Sequence, residues 1–329
     1  MSLLAPTLQA FFSERLLLQK NASPHTVASY RDSWRLLLCF VHDRTGTAPS
    51  KLDIEQLDAP TIGAFLEHLE HERGLSIASR NTRLAAIHSL FRFAALRHPE
   101  HMAIIGRVLA IPAKRAERAL VCFLTSEEVD ALLASPDRSR STGRRDHALL
   151  LLAVQTGLRV SELTGLRIHD LVLGNGAHVR CRGKGRKDRA TPLTRQTVAV
   201  LRVYLAERGG EPEDAAFPGP NGSALSTDAV RRLVQRHAAV AANRCKSLGA
   251  KKIGPHVLRH SCAMRMLERG VDLVSISLWL GHENTRTTDM YLHAYMALKE
   301  RALGRTTPAH TTPGRYKPSD SLLDFLDLL

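Results

Sequence analysis

Apolar positions recur at helical spacing through the first hundred residues, with turn signals between the runs and no convincing strand. After Ser23-Pro24, a cap followed by proline in the first turn, Val27, Tyr30, Trp34, Leu37, Leu38 and Val41 share one face. A further run opens at Asp58-Ala59-Pro60 and turns Ile62, Phe65, Leu66 and Leu69 inward. Another starts near Ser76 and offers Leu84, Ile87, Leu90, Phe91 and Ala94. With the segment before residue 20, these make four helical stretches, and Tyr30 and Trp34 read as core. The pattern stops at IPAKRAERAL, 111–120, where Pro112 breaks regular structure and Lys114, Arg115 and Arg118 outnumber Glu117. The expected organisation is a helical domain over 1–112 and a basic linker over 113–120.

A second folding unit begins at 121. Thr125 and Glu128 have the spacing of a capping box. An apolar helix over about 146–156 follows and ends at Gly157. The texture then changes. Val179 and Cys181 alternate with Arg180 and Arg182, a period of two that puts arginines on one face of a strand. Gly183, Lys184, Gly185, Arg186 and Lys187 form a flexible basic tip before a second strand ending at Pro192-Leu193. Helical spacing resumes near 195–207, 226–241, 255–269 and 271–280. The pattern predicts a mainly α protein with a small antiparallel β-sheet and two domains, the second spanning 121–303. A segment over 304–329 then departs in composition. GRTTPAHTTPGRYKPSD is rich in Pro and Thr, and SLLDFLDLL is apolar and acidic.

Composition narrows the function. The 329 residues carry 46 Lys and Arg against 32 Asp and Glu, a net charge of +14, which points to a polyanionic partner. The longest apolar run, 148–158, falls short of the roughly 20 residues that span a bilayer. The N-terminus lacks a basic leader before its apolar residues, so the expectation is a cytoplasmic protein with no membrane association. Five cysteines, odd in number and without a CxxC pair, argue against a disulfide framework and a cysteine zinc site.

Three stretches carry candidate chemistry. In GPHVLRHS, 254–261, Pro255 favours a helix start, and His256 and Arg259 lie three apart on one face, a placement that suits an anion. His256 and His260, four apart, could suggest zinc, but the glutamate of HExxH is absent and no third ligand is evident. In TGLRVSEL, 156–163, Arg159 projects from a turn, and Glu162 three residues on can hold it in one rotamer. In LGHENTRTTDMYLHAY, 280–295, Tyr291 and Tyr295 follow His282 by nine and thirteen residues.

Taken together, Arg159, Lys184, His256-x-x-Arg259, His282 and Tyr291 resemble, in order and local context, the signature of the tyrosine recombinase or phage integrase family. The resemblance covers about 140 residues, and the preceding helical domain and basic connector resemble that family's core-binding domain and linker. It implies a two-domain DNA clamp and a site-specific recombinase of integrase or transposase type that breaks and rejoins strands through a 3′-phosphotyrosine, with no cofactor, metal or ATP. It further implies that Tyr291 is the nucleophile, that Arg159 and Arg259 clamp the phosphate, that Lys184 is the general acid and His256 the proton acceptor, and that His282 donates to the phosphate. Glu162 orients Arg159. Lys114, Arg115, Arg118, Arg144, Arg145, Arg180, Arg182, Arg186 and Lys187 are expected to meet double-stranded DNA. A tetramer on DNA is implied, with the C-terminal tail passing between protomers and accessory proteins as further candidates. Two rivals stay open: a type IB topoisomerase that relaxes one duplex, and a silent DNA-binding regulator on the same fold.

Overall fold

The computed structural model describes residues 3–115, 121–182 and 188–281, with Arg182 described in its backbone only. The chain divides into two compact units, Met1–Arg118 and Ala119–Leu329, and the division falls inside the basic stretch 113–120. Lys184, Arg186, Lys187, Arg118, His282, Tyr291 and the tail over 304–329 lie outside the described residues.

The first unit is helical: α1, Leu4–Ala10, runs on as a π-helical segment over Phe11–Gln19. α2 is Pro24–Thr45, and α3, Ala59–Glu67, also continues as a π-helical turn, His68–Glu72. α4 is Ile77–Ala94. Ser23, Asp58 and Ser76 each accept a hydrogen bond from a backbone N–H three residues on, at 3.2, 2.9 and 3.3 Å, satisfying donors that a helix start leaves open. Trp34, Leu37 and Val41 of α2 meet Ile62, Phe65 and Leu66 of α3 and Leu84, Ile87, Leu90 and Phe91 of α4 in one core. Each aliphatic side chain contributes roughly 2 kcal/mol by leaving water. A fifth helix joins them. α5, Met102–Leu109, inserts Ile105 and Val108, where the sequence pattern shows only four stretches. Its two turns lie between Pro99 and Pro112 with Gly106 inside, too short to display a period.

The second unit opens on α6, Ser126–Leu133, whose capping box forms as the spacing predicts: Glu128 Oε2 accepts from Thr125 N at 2.8 Å. The same carboxylate accepts from Lys251 Nζ and Ser247 Oγ, both at 2.6 Å, so the cap also anchors the segment before the next motif. α7, Ser141–Thr156, is buried almost all round from Asp146 to Val154 and is the core of this unit. A short α8, Val160–Gly165, follows. Three strands come next: β1, Leu171–Val172, β2, His178–Arg182, and β3, Asp188–Pro192, antiparallel in the order β1-β2-β3. β2 and β3 pair from His178↔Pro192 to Arg182↔Asp188, with Val179 and Cys181 buried and Arg180 exposed. β1, two residues long, is absent from the sequence reading because no alternation can be seen in so short a strand. α9, Arg195–Arg208, α10, Thr227–Ala242, α11, Pro255–Glu268, and α12, Leu273–Leu280, complete the unit. Among the described residues, no helix is long and apolar enough to cross a membrane.

Candidate active site

Gly157 fixes where the motifs meet. It ends α7 in the left-handed region, at φ 65°, and a Cβ there would stand 2.6 Å from Leu280 Cδ2 and 3.2 Å from Cys262 Cβ. Only glycine lets α11 and the end of α12 approach this closely. Trp279 Nε1 donates to the Thr156 carbonyl at 3.1 Å and holds α12 against the same turn. Three sequence motifs far apart in the chain therefore share one corner.

Two arginines converge there. Arg259, on the second turn of α11, is 4% exposed and donates from Nη1 to the Gly157 carbonyl at 2.6 Å and from Nη2 to the Leu280 carbonyl at 2.7 Å. Arg159, at the N-cap of α8, donates from Nη2 to the Gly281 carbonyl at 2.9 Å, and its side chain is 25% exposed. Leu280 and Gly281 close α12, where terminal carbonyls lack intrahelical donors and carry the negative end of the helix dipole. Both guanidinium groups thus sit at adjacent carbonyls, directly before His282.

Glu162 holds Arg159. Its Oε1 accepts from Arg159 Nη1 at 2.9 Å, and its Oε2 accepts from the Arg159 backbone N–H at 2.7 Å. The orienting role expected from the spacing has this geometry. Sequence reasoning missed a second partner: Arg189 of β3 donates from Nη1 and Nη2 to the two Glu162 oxygens, both at 2.8 Å. A signal was available. Arg189 pairs across the hairpin with Cys181, so the alternation that turns Cys181 inward turns Arg189 inward too, and a buried guanidinium needs an anion. Burial by itself would raise the Glu162 carboxyl, but the hydrogen bonds from Arg189 and Arg159 outweigh it and hold the group below the usual carboxylate range.

His256 lies in the first turn of α11 and is exposed, one turn from buried Arg259. His260 is pushed down to about 4 by burial, with the charges of His256 and Arg259 acting in the same sense, so it is neutral at neutral pH. It is not a second cation beside the arginines.

The expected DNA-facing residues separate by their partners. Arg115 and Arg180 are exposed, although Arg180 also donates to the His169 carbonyl at 3.0 Å. Lys114 reaches Glu70 at 2.5 Å with half its side chain still exposed. Arg144 forks onto Glu207 and the carbonyls of Arg138 and Ser139. Arg145 grips Asp146 at 2.8 Å and the Pro218 carbonyl at 2.8 Å. Asp146 is itself buried and shared with Arg236 and His237, both at 2.9 Å. The forks of Arg144 and Arg145 are therefore occupied by internal acceptors, while Arg138 and Arg140 are exposed, Arg140 beside the equally exposed Asp137 at 3.3 Å.

A helical unit followed by a helical unit with a three-stranded sheet, and two arginines gathered at one helix end, is the arrangement that the resemblance to tyrosine DNA strand transferases implies. Comparison with known proteins gives the family. Residues 122–297 match the Phage integrase family, and residues 9–98 match its N-terminal SAM-like domain. The y4rC protein of Sinorhizobium fredii is 52% identical over 99% of this chain and 98% of its own length. Tyrosine recombinase XerC of Pelobacter propionicus is 33% identical over 92% of this chain and 95% of that protein. The crystal structure of XerH site-specific recombinase bound to palindromic difH substrate, a post-cleavage complex, superposes with a TM-score of 0.68 at 26% identity. That match covers 86% of this chain and 80% of that one. The chain belongs to the phage integrase family: it is a tyrosine recombinase, an enzyme that transfers DNA strands in site-specific recombination. The topoisomerase and silent-regulator readings are not favoured.

Proposed function

We propose that this recombinase cuts double-stranded DNA with Tyr291 and holds the reacting phosphate with Arg159 and Arg259. The observation that carries the reading is the convergence of these two guanidinium groups on the adjacent carbonyls of Leu280 and Gly281, from motifs a hundred residues apart. In the reaction, Tyr291 Oη attacks phosphorus, the bond from phosphorus to the 5′ oxygen breaks, and a 3′-phosphotyrosine forms. His256 takes the tyrosine proton, and Lys184 gives one to the leaving 5′ oxygen. Arg159, Arg259 and His282 neutralise the charge that grows on the non-bridging oxygens. The linkage conserves the energy of the phosphodiester, so attack by a 5′ hydroxyl from a second duplex reverses the chemistry and joins new partners.

Exposed Arg115 and Arg180, with Lys114, Arg118, Arg182, Arg186 and Lys187, supply backbone contacts that position DNA without reading its sequence. The protein acts in the cytoplasm on a mobile element, a reading favoured by the unusual composition of its C-terminal tail. It works as a tetramer on DNA. The tail residues Leu322, Leu323, Phe325, Leu326, Leu328 and Leu329 are too apolar to leave in water, and Asp320, Asp324 and Asp327 oppose the charge of the rest of the chain, which suits docking on a neighbouring protomer.

The assignment of acid and clamp is tested with sulfur at the bridging 5′ position, a leaving group that departs without a proton. Lys184→Ala is expected to cleave the sulfur substrate at close to the wild-type rate and normal DNA about 100-fold slower or worse. Arg259→Ala is expected to lose about 100-fold or more on both. Equal loss of Lys184→Ala on the two substrates would make Lys184 a phosphate contact and not the acid.

A further inference from the structure

The ion pair between β3 and α8 carries more than folding. Arg189 is 13% exposed in its side chain and Glu162 only 3%, and the two meet through both guanidinium ends and both carboxylate oxygens. Such a two-point pair fixes orientation as well as distance. Glu162 in turn makes two bonds to Arg159, one to its backbone N–H and one to its guanidinium. Arg189 also lies against Gly281, whose φ is 64°: a Cβ there would stand 2.7 Å from Arg189 Nη1 and 3.1 Å from its Cζ. The Gly281 carbonyl is the second acceptor of Arg159. Arg189 therefore touches both groups that hold Arg159, while its own terminal nitrogens are turned to Glu162.

We propose that Arg189 is a positioning residue for strand cleavage: by locking Glu162 and packing against Gly281, it sets the Arg159 guanidinium in the orientation that meets the phosphate. The inference rests on the reading of Arg159 as a phosphate clamp. It also gives the hairpin a second function. β3 follows directly on the segment that carries Lys184, so the strand that leaves the acid returns into the support of the clamp. Loss of Arg189 leaves Glu162 buried with one cationic partner fewer, and the carboxylate is then free to pull Arg159 away from the phosphate.

A substrate in which one non-bridging oxygen is replaced by a methyl group separates positioning from folding. The neutral methylphosphonate develops less negative charge, so it depends less on the clamp. Arg189→Ala is expected to slow single-turnover cleavage of normal DNA about 100-fold, and Arg189→Lys, which keeps charge but loses the fork, about 10-fold. Both are expected to bind a half-site within about threefold of wild type, and to fall within about threefold of the wild-type rate on the methylphosphonate. Measurements are made well below each variant's unfolding temperature. Equal loss on both substrates, or no loss on normal DNA, would overturn the proposal. Arg159→Ala serves as the reference. If it too loses equally on both substrates, the clamp reading itself fails; if it is rescued and the Arg189 variants are not, only the positioning role fails.

Discussion

His260 lies one turn beyond His256 on α11, in the same motif, yet its environment gives it a different part. Burial and the neighbouring charges of His256 and Arg259 lower it from the ordinary histidine value to about 4. The unfolded chain therefore takes up a proton near pH 6.5 that the folded chain refuses until about pH 4. Stability from this group is complete above the unfolded value and is lost as pH falls through that window. His147 in the same unit and His88 in the first are displaced in the same direction, chiefly by burial, and add to the slope. Glu162, held below the usual carboxylate range, is still ionised there and stabilises the fold, a contribution it loses only as pH falls further. The thermal midpoint is expected to fall between pH 7 and 4.5, and His260→Gln is expected to lessen that fall by a few degrees. Identical slopes for the two proteins in scanning calorimetry would contradict the assignment. At this scale the sequence showed which side chains matter when partners lie close along a helix, as with Arg159 and Glu162. For Arg189 the strand alternation carries the inward direction but not the partner, because Glu162 lies 27 residues away and is reached only after the hairpin folds.

Elements with strong local signals are where the pattern puts them. Ser23, Asp58, Ser76 and Thr125 cap helices because a short side-chain oxygen can reach a free N–H only at those starts, and that chemistry is written in adjacent residues. Gly157 and Gly281 end helices in the left-handed region for a comparable local reason. α5 and β1 went unread because each is fixed by the surfaces it covers. Two turns of helix and two residues of strand have too little intrinsic preference to form alone. The π-helical continuations of α1 and α3 likewise leave no mark in a pattern of apolar spacing. For the site, the corner made by Gly157, Leu280 and Gly281 needed the structure, since its close approach joins residues more than 120 apart.

For the whole molecule, the proposed tail exchange ties assembly to chemistry. Nine apolar and acidic residues cannot hold a fold by themselves and need a surface supplied by another element. The stretch from about Gly304 to Pro318 spans at most roughly 50 Å when fully extended, which sets the distance within which a second protomer must offer that surface. Deleting residues 319–329 is expected to leave binding of one half-site within about threefold while cooperative pairing of two duplexes and strand exchange fall by about tenfold or more. A truncated protein that pairs duplexes as well as the full chain would show that the tail docks within its own protomer or has no part in assembly.

The central claim is that Tyr291 carries the DNA strand between duplexes. The direct test is to trap the covalent complex on a nicked site, digest both macromolecules, and identify by mass spectrometry the residue that bears the nucleotide. The expected result is a nucleotide joined through its 3′-phosphate to Tyr291, a free 5′ hydroxyl on the departing strand, no adduct from Tyr291→Phe, and an adduct of wild-type yield from Tyr295→Phe. A nucleotide on Tyr295, or an adduct that persists in Tyr291→Phe, would contradict it.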